Sequence, residues 1–363
     1  MESVVELAHL RIENLRLIES LEFDLAPGWN LFLGPNGAGK TSLLESAFLL
    51  SHGRSFRSAL KDVLVRHGSA GYSVFGELRH ADERRERVGV ARGSGRLEAR
   101  LDGMAVAVAE LMRHTAVVCF EPGSHELVSG SSEERRRFLD WGVFHVEHDF
   151  LPHWRRYQRA LRQRNALLRG AVGSTDLDAW DRELALAAQP LTALRQRYFD
   201  AWSPIATALL RELLGEMGEP SLTFQAGFDA DHGLERVLAL RRGRDIARGH
   251  TTAGPHRADW SIGFGRALRR EHLSRGQEKL CAFACIMAQA RLFADVAGEW
   301  PILCLDDLAS ELDRNHQSKI LTVMRRANAQ VLATATEAPV AFAEITTPVE
   351  RFHVEQGRVS RLL

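Results

Sequence analysis

Lysine is scarce in this chain. Of 363 residues, 47 are Lys or Arg, and lysine stands only at positions 40, 61, 279 and 319. Arginine carries nearly all the positive charge, and genomic base composition accounts for that without any function. Arginine runs therefore lose weight as signs of nucleic-acid contact. Lys40 gains weight, because a compact ammonium is kept where arginine is otherwise the rule. Net charge is absent too: 47 acids balance 47 bases. This excludes a whole-chain electrostatic pull on nucleic acid, so any basic surface must be a local patch. The four cysteines (Cys119, Cys281, Cys285, Cys304) lie in apolar stretches and form no C-x-x-C pair. They exclude a disulfide scaffold and read as small core residues in a reducing compartment. Glu2 and Glu6 stand where a secretory signal needs basic residues. No apolar run approaches the roughly 18 residues of a membrane span. The expectation is a cytoplasmic chain with no membrane partner. Repeats and low-complexity tails are also missing.

What remains is ordinary for a packed protein, 45% hydrophobic and 26% charged. The length allows roughly two domains. Residues 4–33 read as strands, with strict alternation at Leu21 to Leu25. Short strand-like runs follow at Tyr72–Leu78, Val88–Ala91, Leu97–Leu101 and Val117–Phe120. From Glu133 to Gly218 strand signals nearly vanish. Two long helices are expected there, over Glu147–Arg169 and Asp176–Leu214, with a polar turn at Gly170–Thr175. Trp154, Tyr157, Leu161 and Leu168 sit near helical spacing and read as a packing stripe. Arginines 155, 156, 159, 162 and 164 read as a solvated face in preference to a DNA site. Alternation returns at Trp260–Phe264, a long helix follows Ser274, and Ile302–Leu305 and Gln330–Thr334 are buried-strand runs. The expected organisation is an α/β P-loop head, residues 1–120 plus 245–363, with a mainly helical insertion at 121–244.

The chemistry centres on Gly34-Pro35-Asn36-Gly37-Ala38-Gly39-Lys40-Thr41-Ser42, which fits G-x-x-x-x-G-K-[ST] between a strand and a helix. The glycines let backbone N–H groups converge on phosphate oxygens, and the helix start adds partial positive charge. Lys40 would reach the β- and γ-phosphates, and Thr41 would ligate Mg²⁺. A second constellation is the apolar strand ending in Asp306-Asp307. Asp306 would hold Mg²⁺, and Asp307 would face the attacking water as general base or positioner. The expected cofactors are ATP and Mg²⁺, with Lys40 and Asp307 as the catalytic pair. Ser274 reads as the N-cap of its helix, and Ser274-Arg275-Gly276-Gln277 forms a second anion cradle at that helix start.

Leu273 to Gln277 resembles the LSGGQ-type signature of the ABC ATPases, with Arg275 replacing the first glycine. In that superfamily the signature of one subunit caps the γ-phosphate in the other subunit's P-loop. Ala309 to Asp313, with Ser310 and Asp313, resembles the D-loop. Thr334-Ala335-Thr336 stands where a switch histidine is usual, and no glutamine loop is recognisable after Phe120. Four stretches narrow the resemblance: Gly53 to Arg57, Ser132 to Asp140, Gly254 to Asp259, and Asp306 to Asp313. In this order they are similar to the RecF family, SMC-like ATPases without the long coiled coil. The resemblance implies a two-lobed head and an ATP-dependent homodimer. It implies clamping of duplex DNA near single-strand/double-strand junctions, and work with RecR and RecO to place RecA on gapped DNA. A slow ATPase would time release. Arg57 would approach the phosphates or serve a surface or DNA contact. His256 and Arg257 would serve a local interface or a structural ion pair. A membrane-transporter ATPase would share the P-loop and signature; the threonines at the switch and the long helical insertion oppose it. A scaffold in which ATP only assembles the dimer is the remaining alternative.

Overall fold

Along Tyr72–Arg79 burial alternates residue by residue, with Tyr72, Val74, Gly76 and Leu78 on the buried face and the other four residues partly accessible. Neighbouring segments repeat the pattern, and an antiparallel six-stranded sheet results. Its order is Ile18–Asp24, Glu6–Leu15, Tyr72–Arg79, Arg85–Arg92, Leu97–Leu101, Met104–Val106. The runs Ile302–Leu305 and Val331–Ala335 do not alternate; every residue in them is buried. They lie inside a second six-stranded sheet, ordered Arg358–Leu362, Val349–Glu355, Trp29–Leu33, Val331–Ala335, Ile302–Leu305, Val117–Phe120. All pairings there are parallel except the C-terminal hairpin. The computed structural model describes residues 3–57, 61–93, 95–170, 174–265, 268–269, 273–307, 313–340, 342, 345 and 348–362.

The helix Lys40–His52 packs against strands of both sheets, and eleven of its thirteen residues are buried. A helix buried all round cannot be amphipathic, so its polar residues need internal partners. Ser46 donates to Leu43 O, and Ser51 Oγ accepts from Val117 N. Glu45, fully buried, takes both arms of Arg16 at 2.7 and 2.8 Å, and Ser55 also donates to it.

The chain forms two compact units, 1–124 with 283–363, and 125–282. The second boundary falls well beyond the expected 245. The reason is strand pairing: Asp259–Phe264 lies antiparallel to Pro220–Gln225, which ties residues 245–282 to the helices. The second unit therefore carries a small sheet as well as the helices Ser132–Val146, Phe150–Arg169, Ser174–Leu214 and Leu234–Arg248. Its core sets Trp202 edge-to-face against Trp260, with ring centroids 5.0 Å apart. Buried Arg164 joins three elements, bonding Asp181, Asp245 and Thr251. Tyr157, Leu161 and Leu168 face inward as their spacing implies, while Arg164 departs from the solvated face assigned to it.

Arg275–Ala297 is the one helix among the described residues long and apolar enough to cross a membrane, which the sequence reading did not anticipate. Most of its apolar window, 78%, is buried within the protein, as in the core helix of a globular fold.

Candidate functional site

The P-loop strand Trp29–Leu33 and the acidic strand Ile302–Leu305 are not neighbours; Val331–Ala335 lies between them. Its C-terminal end brings Thr334 between the two chemistries. The Thr334 hydroxyl donates to Asp306 Oδ1 at 2.7 Å and accepts the Asp307 N–H at 2.9 Å. Thr41 Oγ1 donates to the same Asp306 oxygen at 3.1 Å. Asp307 adopts φ 48, the left-handed region that few non-glycine residues occupy, and the Thr334 bond to its N–H helps hold it there. Thr334 was singled out as a switch residue; its place is that of a relay fixing both acids. Thr336, its companion, is exposed beyond the strand and does not line the pocket.

The pocket encloses about 200 Å³ and is lined by Arg16, Leu17, Asn36, Gly37, Gly39, Lys40, Thr41, Ser42, Arg57, Asp306, Asp307 and Thr334. Arg57 thus faces the P-loop pocket. Gly34, Pro35 and Ala38 shape the loop instead. Lys40 Nζ donates to the Gly34 and Pro35 carbonyls at 2.7 and 3.0 Å. Ala38 O accepts from Gly357 N at 2.8 Å, which braces the loop against the turn of the C-terminal hairpin. At Gly34 a Cβ would stand 2.1 Å from Val354 O of that hairpin, so only glycine fits. Gly39 precedes the helix at φ 108, and the first helical turn carries no acid. Its free N–H groups and dipole are left for an anion.

Burial lowers the Lys40 pKa, with Asp307 and Asp306 opposing the shift. Burial also raises the Asp306 carboxyl, opposed by the hydrogen bonds from Thr334 and Thr41. A bound cation would reverse that penalty. Among the described residues no group of three His, Cys, Asp or Glu side chains could hold a metal alone. One hydroxyl and one carboxylate, completed by phosphate oxygens, suit Mg²⁺, which rarely takes an all-protein cage.

The signature-like segment lies in the second unit. Ser274 Oγ accepts from Gln277 N at 3.3 Å, and Gln277 Oε1 accepts from Ser274 N at 2.9 Å, a reciprocal capping box. Arg275 opens the helix and Gly276 follows it. Ser310 falls outside the described residues. Asp313 caps the helix Arg314–Arg326, accepting from His316 N at 2.9 Å. The segment Gly254 to Asp259 is clamped rather than ion-paired at its histidine. His256 Nδ1 lies 2.6 Å from Tyr157 Oη, and its Nε2 lies 3.0 Å from Thr251 O. Arg195 and Arg136 donate to Pro255 O and Ala258 O, and Arg135 pairs with Asp259.

The sequence reading missed Arg16 and Glu45. Arg16 lines the pocket, and Glu45 joins it to Ser55, whose hydroxyl accepts the Arg57 N–H at 2.9 Å. The available signal was an acid in the middle of an apolar helix.

The profile described as "RecF/RecN/SMC N terminal domain" matches residues 6–360. The "DNA replication and repair protein RecF" of Stenotrophomonas maltophilia (strain R551-3) is 47% identical, covering 98% of this chain and 99% of its own. The chain belongs to the RecF family. Its namesake in Stutzerimonas stutzeri (strain A1501) is 38% identical, over 99% and 98% of the two chains. A solved structure of the recombination mediator protein RecF-ATP in the RecFOR pathway superimposes with TM-score 0.88 at 24% identity, covering 99% and 98%. An SMC head bound to the C-winged helix domain of ScpA gives TM-score 0.60 at 15% identity, covering 99% and 97%. The fold is thus an SMC-type ATPase head with a helical insertion.

Proposed function

We propose that this chain is an ATP-gated recombination mediator. It binds ATP with Mg²⁺ at the P-loop pocket and forms a homodimer in which Ser274 to Gln277 of one copy cap the γ-phosphate of the other. It clamps duplex DNA near single-strand/double-strand junctions, and with RecO and RecR it promotes RecA loading at gaps. The observation that carries this reading is the convergence of the Thr41 and Thr334 hydroxyls on Asp306, with Thr334 also taking the Asp307 N–H, beside a P-loop. Family membership supports the DNA-repair setting, and the RecF named in the solved RecF-ATP complex supports the nucleotide.

In this reading Lys40 leaves the loop carbonyls for phosphate oxygens, and Thr41 with Asp306 holds the cation. Mg²⁺ supplies charge neutralisation at the phosphates. Asp307 orients the attacking water and accepts its proton. Aspartate reaches less far than glutamate, which fits slow turnover and a clamp that opens late. Arg57 and Arg16 add positive charge to the pocket wall. The test is ATP binding and hydrolysis by the wild type, Lys40→Ala and Asp307→Ala. Lys40→Ala should abolish binding; Asp307→Ala should bind ATP and hydrolyse it far more slowly. Equal hydrolysis in the wild type and Asp307→Ala would remove Asp307 from catalysis.

A further inference from the structure

The five arginines of the Phe150–Arg169 helix look alike in sequence and differ in three dimensions. Arg164 is buried and bonded to Asp181 and Asp245. Arg156 forms a two-pronged pair with Glu183 of the neighbouring helix, at 2.8 and 2.9 Å, and this bond holds the Glu183 carboxyl below its usual pKa. Arg155 and Arg159 are exposed and form no ion pair among the described residues. They share a cavity of about 460 Å³ with Arg156, Ala160, Trp180 and Glu183, between the two long helices.

The composition of this cavity selects its ligand. Three guanidinium groups against one carboxylate leave an excess of positive charge, and Arg156 already occupies that carboxylate. The Trp180 ring is partly accessible there. An aromatic face beside unpaired arginines is the combination that binds a nucleotide whose base is free to stack. In duplex DNA the base faces are taken up by neighbouring bases, so a duplex would use the arginines and leave the tryptophan idle. Arg162, also exposed, follows Arg159 by about 4.5 Å along the helix axis, in the direction a strand leaving the cavity could take.

We infer that this cavity binds a nucleotide of single-stranded DNA, its base on Trp180 and its phosphates on Arg155 and Arg159. The inference rests on the reading of the chain as a DNA-clamping mediator and gives it a second contact, for the unpaired side of a junction.

The experiment is anisotropy of a labelled oligo-dT and of a labelled blunt duplex, each with the full chain and an ATP analogue. The variants are Trp180→Ala, Trp180→Phe and Arg155→Ala/Arg159→Ala. Trp180→Ala should weaken oligo-dT binding roughly 5- to 150-fold, the range for loss of one stacked base. Duplex binding should stay unchanged, and Trp180→Phe should keep most of the oligo-dT affinity. The double arginine variant should lower the slope of log affinity against log salt by about 1.4 on oligo-dT. Equal losses on both DNAs, or oligo-dT binding indifferent to all three variants, would overturn the inference. So would competition by polyglutamate as strong as by unlabelled oligo-dT, which would reassign the cavity to an acidic peptide. If the wild type binds duplex under ATP control but ignores oligo-dT, the inference fails and the proposed function stands. If it binds neither DNA, both fail. Should Trp180→Ala melt early, Trp180→Phe and the arginine pair still decide the matter.

Discussion

His256 offers a quantitative test through acid pH. Its ring is enclosed between Tyr157 and the Thr251 carbonyl. Burial holds its pKa at about 4, below the usual 6.5, with Arg257 and Arg136 also opposing a proton. The folded protein thus keeps the ring neutral, with Nε2–H donating to Thr251 O and Nδ1 accepting from the tyrosine. The unfolded chain takes up a proton near pH 6.5. Stability from this group is therefore fully present above about pH 6.5 and drains away as pH falls toward 4. Each pH unit in that window costs about 1.4 kcal/mol, so the full window is worth about 3 kcal/mol, and pH 5 costs about 2 kcal/mol. Urea denaturation followed by tryptophan fluorescence at pH 7.5 and 5.0 is the assay; five of the seven tryptophans lie in the same unit as His256. His256→Gln keeps a donor for Thr251 O and cannot titrate. The wild type should lose about 2 kcal/mol more than this variant between the two pH values. Equal losses would mean that the imidazole is not held neutral, and the clamped reading of residues 254–259 would fall with it.

Other outcomes follow from the same contacts. Arg16→Ala leaves the Glu45 carboxylate buried with only Ser55 in place, and should cost about 3–5 kcal/mol in thermal or urea unfolding. Arg16→Leu/Glu45→Leu should recover most of that; a double variant as unstable as the single one would contradict the pairing. Thr334→Val keeps the shape but removes the relay, and should cost about 2–4 kcal/mol and slow ATP hydrolysis. Unchanged hydrolysis would show that the two acids do not depend on it. Ser274→Arg should leave ATP binding intact and abolish ATP-dependent dimerisation in light scattering; normal dimers would reject the composite site.

The P-loop and the Asp306-Asp307 pair were legible because their chemistry is local: a loop of fixed spacing, and a strand too apolar to face water. The strands and the two long helices were legible from periodicity. Thr334 could be placed at the switch position but not given its role, because that role depends on a strand inserted between two others. Arg16 and Glu45 are 29 residues apart and meet only when the first helix is enclosed by two sheets. The domain boundary near 245 misled because pairing of Pro220–Gln225 with Asp259–Phe264 leaves no compositional mark. The arginines of the long helix show the limit most clearly: periodicity cannot tell a buried ion pair, a neutralised surface pair and an open cavity wall apart, since that depends on what the neighbouring helix presents.

The central claim is nucleotide-gated capture of DNA, and one titration tests it. A labelled gapped duplex is titrated with the protein without nucleotide, with ADP and with a slowly hydrolysed ATP analogue, at several salt concentrations. Binding that requires the ATP analogue and weakens steeply with salt is the expected result, since phosphate contacts release counterions. Binding of equal strength in all three states, or none in any, would contradict an ATP-gated clamp.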